Sequence, residues 1–265
     1  MRSRLLTAFG LGLLIVLVLL FGRPLIVAGV LGAALLVGGW EWSAFLALHG
    51  AARLLYVLAL VLLAALASHY TAPLGAFVHL LELAVAWWLV ALAWILFAPS
   101  RASRGAAALA GVLVLVPTWL ALVRIDARWA HGAQWTLFVL ALAFAADTGA
   151  FFTGRRFGQL RLAPQVSPNK TWEGVLGGML LALGVAVVAN MWFELPWQAF
   201  LPLCVAAAAF SVIGDLTESL LKRHVHLKDS GRLFPGHGGV LDRIDSVTAA
   251  APVLTLGLIW LGAGR

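Results

Sequence analysis

The chain has 265 residues, of which 63% are hydrophobic and only 11% charged, whereas a soluble domain is about 25% charged. That balance excludes a water-soluble globular protein. The net charge of +7 is carried by loops between apolar runs, so a positive-inside bias accounts for it and nucleic-acid binding is not expected.

Each bilayer crossing needs about 20 mostly apolar residues. Nine apolar segments answer to that description, at 5–22, 24–48, 54–70, 79–98, 106–123, 135–152, 174–192, 199–216 and 245–262. Some are short, so about seven to nine spans are expected, in an all-α polytopic membrane protein. Met1-Arg2-Ser3-Arg4 and the run behind it imitate a signal peptide. The run is long for one, however, and Arg23-Pro24 follows without a small-x-small cleavage site, so the first segment reads as a retained span. Residues 1–134 are expected to form N-terminal transmembrane helices and 135–265 a C-terminal transmembrane region, within one continuous membrane domain. The single cysteine, Cys204, lies in an apolar run; it reads as a buried hydrophobe and excludes an intrachain disulfide. Trp40, Trp42, Trp87, Trp88, Trp135, Trp192 and Trp197 fall near segment ends and read as interfacial anchors.

With nine spans and a cytoplasmic N-terminus, Arg23, Arg124, Arg128 and Arg265 lie outside and the other 14 of the 18 Lys and Arg lie inside. This split orients the protein and places its two large polar loops in the cytoplasm.

Only eleven acids occur, and Asp215, Glu218, Asp229, Asp242 and Asp245 crowd into one stretch. Asp147 stands at the inner end of the sixth segment. A charge at the bilayer centre costs about 2.5–3.5 kcal/mol on insertion scales. Acids at span ends avoid much of that and still sit where water is scarce, which suits a divalent cation. Asp215 and Glu218 are three apart, as are Asp242 and Asp245, so each pair shares a helix face. Between them lie Lys222, Arg223, Lys228 and Pro235-Gly236-His237-Gly238-Gly239. Glycines there let a phosphate approach backbone N–H groups. His224 and His226 read as surface histidines, and His237 as the better functional residue. Ser219–Ser246 thus reads as a metal-assisted phosphate site.

A second loop runs from Gly154-Arg155-Arg156 to Ser167-Pro168-Asn169-Lys170-Thr171-Trp172-Glu173-Gly174. Ser167 before Pro168 reads as an N-cap with proline at the first helical position. Lys170 would then stand in the first turn, mis-set against the helix dipole unless it serves an anion.

The run Ser219-x-x-Lys222-Arg223-x4-Lys228-Asp229-Ser230-Gly231-x2-Phe234-Pro235-Gly236-His237-Gly238-Gly239-Val240-x-Asp242-Arg243-Ile244-Asp245 resembles the signature of the phosphatidate cytidylyltransferases. Asp147-Thr148-Gly149-Ala150-Phe151 and 167–174 are similar to the family's other motifs, in order. The likeness is strong over about 140–250 and extends weakly to Trp40-Glu41-Trp42. It implies cytidylyl transfer from CTP to phosphatidate, Mg²⁺ with K⁺ as a candidate second cation, and a homodimer in the bacterial-type inner membrane with the site facing the cytoplasm. On that resemblance Asp147, Lys170, Asp215 and Asp242 are the expected catalytic residues, with Asp215, Asp242 and Asp147 at the metal. Ser167, Ser219, Lys222, Arg223, Lys228, Asp229, His237, Gly238, Gly239, Arg243 and Asp245 are expected to bind substrate. A polyprenol-kinase-like or archaeal-type lipid cytidylyltransferase is the nearest alternative. A transporter using Glu41, Glu82 and Asp147 is another. The roles of Glu41 and Glu82 are open at this level, with interfacial placement or helix-to-helix hydrogen bonding as the default.

Overall fold

The computed structural model describes residues 2–100, 102–231, 233 and 238–263. Among these the chain forms nine α-helices: α1 Arg2–Phe21, α2 Pro24–Phe45, α3 Gly50–Tyr70, α4 Leu74–Phe97, α5 Arg104–Arg128, α6 Gly132–Phe157, α7 Trp172–Phe193, α8 Trp197–His224 and α9 Leu241–Trp260. Seven of them, α2–α8, are long and apolar enough to cross a membrane. The protein is therefore an all-α, multi-pass membrane protein.

Helices α1 to α4 point many leucines outward, among them Leu25, Leu54, Leu62 and Leu89. In water such a surface would aggregate; in lipid it is the solvated face. At the other extreme, α9 is buried without interruption from Ser246 to Leu258. An apolar helix enclosed on all sides is a core element, and α9 packs against α2, α4, α5, α6 and α8. Pro252 lies inside it and cannot donate to the carbonyl of Thr248. Thr118 Oγ1 of α5 lies 2.8 Å from that carbonyl and 2.6 Å from the Val114 carbonyl, so its single proton serves one of the two at a time.

A short hairpin departs from the all-helical plan. Strands β1 Arg161–Ala163 and β2 Ser167–Thr171 pair antiparallel between α6 and α7. The expected N-cap at Ser167 is thereby corrected. Helix α7 begins at Trp172, and Thr171 caps it by accepting from the Gly174 N–H at 3.2 Å. Glu173, in the first turn, accepts from the N–H groups of Gln159 at 3.1 Å and Leu160 at 3.2 Å, tethering the hairpin. In a two-stranded ribbon Pro168 interrupts no central ladder. Lys170 thus projects from a strand rather than from a helical turn.

The tryptophans also divide. Trp40, Trp192 and Trp197 are exposed, as anchors would be, but Trp42, Trp87, Trp88 and Trp135 are buried. Trp42 Nε1 donates to the Ala107 carbonyl of α5 at 2.8 Å. Gly111 makes room for this indole, because a β-carbon there would fall 2.7 Å from Nε1. Trp135 stacks on Phe193 at a centroid distance of 3.5 Å. These helix ends meet other helices before they meet lipid. Cys204 is buried and free, as expected.

Candidate active site

Close backbone contact builds the site. Helices α6 and α7 touch along small residues: a β-carbon on Gly178 would stand 2.5 Å from the Ala146 carbonyl, and one on Gly149 2.5 Å from the Gly177 carbonyl. Small residues let membrane helices approach this far, and packing then holds them. Asp147 lies in that seam. Helices α8 and α9 meet in the same way, since a β-carbon on Gly214 would overlap the Asp245 carbonyl oxygen. The contact sets Asp215 of α8 beside Asp245 of α9.

Asp147, Asp215 and Asp245 therefore gather at one polar end of the bundle. Asp245 lies within the electrostatic reach of Asp215, Glu218 and Asp147, with Lys170 as the opposing charge. Ser246 Oγ donates to Asp147 Oδ2 at 2.6 Å, and the Ser246 N–H donates to Asp245 Oδ1 at 2.8 Å. One residue thus ties α9 to α6 between two acids. Lys170 reaches from β2 to an ion pair with Asp215. Ser219 Oγ lies 3.4 Å from the same carboxylate. Arg243 and Lys170 are the positive charges acting on Asp147.

A cavity of about 430 Å³ opens from this cluster between α6, α7, α8 and β2. Asp147, Arg155, Asn169, Lys170 and Asp215 make its polar part, and Met179, Val175 and Val212 are among its apolar walls. One cavity thus offers charges for phosphate and hydrocarbon for a lipid.

The glycine-rich stretch forms a second polar knot beside the first. Asp242 Oδ1 accepts from Lys222 Nζ at 2.7 Å. Its Oδ2 accepts from the N–H groups of Ser230 at 2.9 Å and Gly239 at 2.8 Å, and lies 2.9 Å from Ser230 Oγ. Lys222 also pairs with Glu218 at 3.2 Å. Gly238 has φ of +81°, in the left-handed region that favours glycine. Asp242 and Asp245, read as one face, serve different partners: Asp242 holds the loop and Asp245 joins the acids. Three helical residues leave side chains about 60° apart around the axis, enough for this division.

Of the remaining expected residues, Arg243 stays near enough to act on Asp147 and Asp229 lies beside Gly238, while others stand apart. Ser167 pairs in register with Ala163 at the hairpin. Arg223 lines a separate hollow with His224 and His226. Lys228, Asp229 and Arg243 are exposed, and His237 lies outside the described residues. Glu82 stands at the surface, 3.0 Å from His79 Nδ1.

The structure adds Arg155 and Asn169 to the cavity wall and Ser246, the last residue of the signature stretch, to the acid cluster. Glu41 joins them, and its signal in the sequence is an acid between two tryptophans in an apolar run. It is buried on α2, with Oε1 accepting from the Val240 N–H at 3.0 Å and Oε2 from the Leu241 N–H at 2.8 Å.

Among the described residues, no three His, Cys, Asp or Glu side chains converge as a ready cation cage. Mg²⁺ commonly takes one or two carboxylates and completes its shell with water and substrate phosphates. Asp147 and Asp215, the two carboxylates that line the cavity, fit a cation of that kind.

Residues 2–260 match the model of the cytidylyltransferase family. The chain is 37% identical over 238 residues to a phosphatidate cytidylyltransferase of Pseudomonas aeruginosa, covering 87% of this chain and 86% of that protein. It is 36% identical over 277 residues to the Haemophilus influenzae protein of the same name, covering 95% and 96% respectively. A Staphylococcus epidermidis phosphatidate cytidylyltransferase is 44% identical over 131 residues, about half of each chain.

Proposed function

The chain belongs to the cytidylyltransferase family, and from that premise we propose that this membrane nucleotidyltransferase moves a cytidylyl group from CTP to phosphatidate, giving CDP-diacylglycerol and pyrophosphate. The observation that carries the proposal is the cavity whose polar end is Asp147, Lys170 and Asp215 and whose walls are largely apolar. A lipid phosphate and a nucleotide phosphate both meet compensating charge there.

A phosphate oxygen of phosphatidate attacks the α-phosphorus of CTP. The new P–O bond forms as the bond from the α-phosphorus to the bridging oxygen of the β-phosphate breaks, and pyrophosphate leaves with that oxygen. The nucleophile needs no general base, because a phosphate monoester with a second pKa of about 6 is already ionised near neutrality. The protein must align two polyanions and screen their repulsion, which is positioning and electrostatic work. Lys170, from the rigid hairpin, and Arg155, from the end of α6, are the cations facing the cavity. The Lys170–Asp215 pair holds the ammonium where an incoming phosphate exchanges with the carboxylate. Ser246 orients Asp147.

Mg²⁺, held by Asp147 and Asp215, would supply charge neutralisation at the phosphate oxygens. Asp242, whose oxygens accept from Lys222, Ser230 and Gly239, would join the metal by exchanging one of these partners for it. The 14-to-4 distribution of Lys and Arg supports a site facing the cytoplasm, where CTP is available. Assembly as a homodimer in the bacterial inner membrane is part of the same proposal and is read by crosslinking in native membranes.

The test is an assay of detergent-purified protein with CTP, phosphatidate and Mg²⁺. CDP-diacylglycerol and pyrophosphate should form in equal amounts. Product formation with a polyprenol or archaeal-type lipid but none with phosphatidate would overturn the assignment of the acceptor.

A further inference from the structure

We propose that Glu41 is a positioning residue for the transfer reaction: it seats the loop before α9 and the start of α9 itself, and its carboxylate is the reason that positions 231 and 239 are glycine. The proposal rests on the cytidylyl-transfer reading for its kinetic part only.

The first N–H groups of a helix have no partner within it. Val240 stands at the N-cap of α9, and no side-chain cap bond is formed there. The missing acceptor arrives from α2. Both Glu41 oxygens take α9 N–H groups, Val240 at 3.0 Å and Leu241 at 2.8 Å. A carboxylate at this end also opposes the positive pole of the helix. Ser230 Oγ lies 3.2 Å from Glu41 Oε2 and 2.9 Å from Asp242 Oδ2, so its single proton serves one carboxylate at a time.

Gly231 and Gly239 complete the argument. A β-carbon at either would overlap the Glu41 carboxylate. On sequence alone, glycines in this stretch suggest phosphate approach, but these two are packed against a protein acid. Gly239 is held from two sides, its N–H on Asp242 at 2.8 Å and its α-carbon against Glu41. Ser230 is held in the same double manner. The loop is thus pinned near both ends by one carboxylate from α2 and one from α9. Asp245 follows Leu241 by one helical turn, so whatever fixes the start of α9 also fixes Asp245 against Asp215. Glu41 does not line the cavity at the acid cluster; it borders a separate hollow with Arg53, Ser230 and Gly231, and its link to the acids runs through the loop and the start of α9.

The experiment combines Glu41→Gln, Glu41→Asp, Gly239→Ala and the double variant Glu41→Asp/Gly239→Ala. Glutamine keeps the volume but turns an NH₂ toward a backbone donor. It should lower kcat by about tenfold or more while both KM values stay within about threefold. Hydrogen exchange at the amides of Ser230, Gly239, Val240 and Leu241 should accelerate, and this readout needs no turnover. Gly239→Ala alone should lose about tenfold in kcat, and much less when aspartate has drawn the carboxylate back. Equal losses from Gly239→Ala in the unaltered protein and in the Glu41→Asp background would overturn the proposal. So would unchanged kcat and unchanged exchange in Glu41→Gln. If Glu41→Gln does not fold, the aspartate cycle decides, read by kcat or by melting temperature. Absence of cytidylyl transfer in the unaltered protein would defeat the functional reading, while exchange and melting would still decide the anchoring.

Discussion

Helices α1–α4 and α6–α9 solve the same solvent problem in opposite ways. The first group keeps large side chains on its outer faces and meets the rest of the bundle through bulky contacts such as Trp88 and Phe77. The second group brings backbones together, through Gly149, Gly177 and Gly178 on the α6–α7 seam and Gly214 on the α8–α9 seam. The difference teaches where chemistry can be housed in lipid. A charged group needs a fixed partner there, and a fixed partner needs rigid backbones. The acids Asp147, Asp215 and Asp245 each sit within a residue or two of a glycine contact or the Ser246 link. The first group contributes one acid to this arrangement, Glu41, and places it against the loop.

The comparison can be broken most severely at the acids. Asp215→Asn should lower the rate of CDP-diacylglycerol formation by about 10²–10³-fold, the scale of losing one preorganised electrostatic contact. Its melting temperature in detergent should be nearly unchanged, because the Lys170–Asp215 pair is partly exposed. Normal turnover would remove Asp215 from the site.

Next in size is Gly214→Val, which drives α8 away from the Asp245 backbone. Overpacking of this kind costs about 1–3 kcal/mol, so both the melting temperature and kcat should fall. An unchanged melting temperature would show that the seam yields without strain. Trp42→Phe, in the N-terminal half, removes the bond to the Ala107 carbonyl. It should lower stability by about 1 kcal/mol and leave kcat within about twofold, since the bond it loses is to the backbone of α5 and not to an acid of the cluster. A kcat loss exceeding the stability loss would blur the contrast between the two halves.

The smallest effect has the opposite sign. Gly29 of α2 has open space where a β-carbon would stand. Gly29→Ala should stabilise by about 0.5–1 kcal/mol, measured as a rise in melting temperature. A fall would mean that this face is covered in the membrane by something other than lipid.

Much of this organisation was legible in the sequence. Nine apolar segments became nine helices in order, because hydrophobic length is a strong signal when the solvent is hydrocarbon. The ends were less legible. Helix α6 runs on through Arg155 and Arg156, and α8 through Lys222 and Arg223. Cations are stable in a last helical turn, so the end of hydrophobicity was not the end of the helix. The hairpin was hidden because Ser-Pro suits either a cap or a ribbon edge, and what decided between them was Glu173 reaching back to Gln159 and Leu160. Asp147, Lys170 and Asp215 stand out in the sequence by motif and do meet at the cavity. The separation of Asp242 from Asp245, and the part of Glu41, depend on which backbone lies opposite each residue. Spacing along one helix carries no record of that.

The link from α9 back to Glu41 and Asp147 also sets a schedule for biogenesis. The ribosome delivers α2 and α6 to the membrane before α9 exists. Until Leu241 and Ser246 arrive, both acids lack the donors they hold in the finished protein, and an unpaired acid is expensive in a bilayer. An unfinished chain therefore carries that cost until α9 is in place. The helix that completes the acid cluster is the same one that relieves the nascent protein of it.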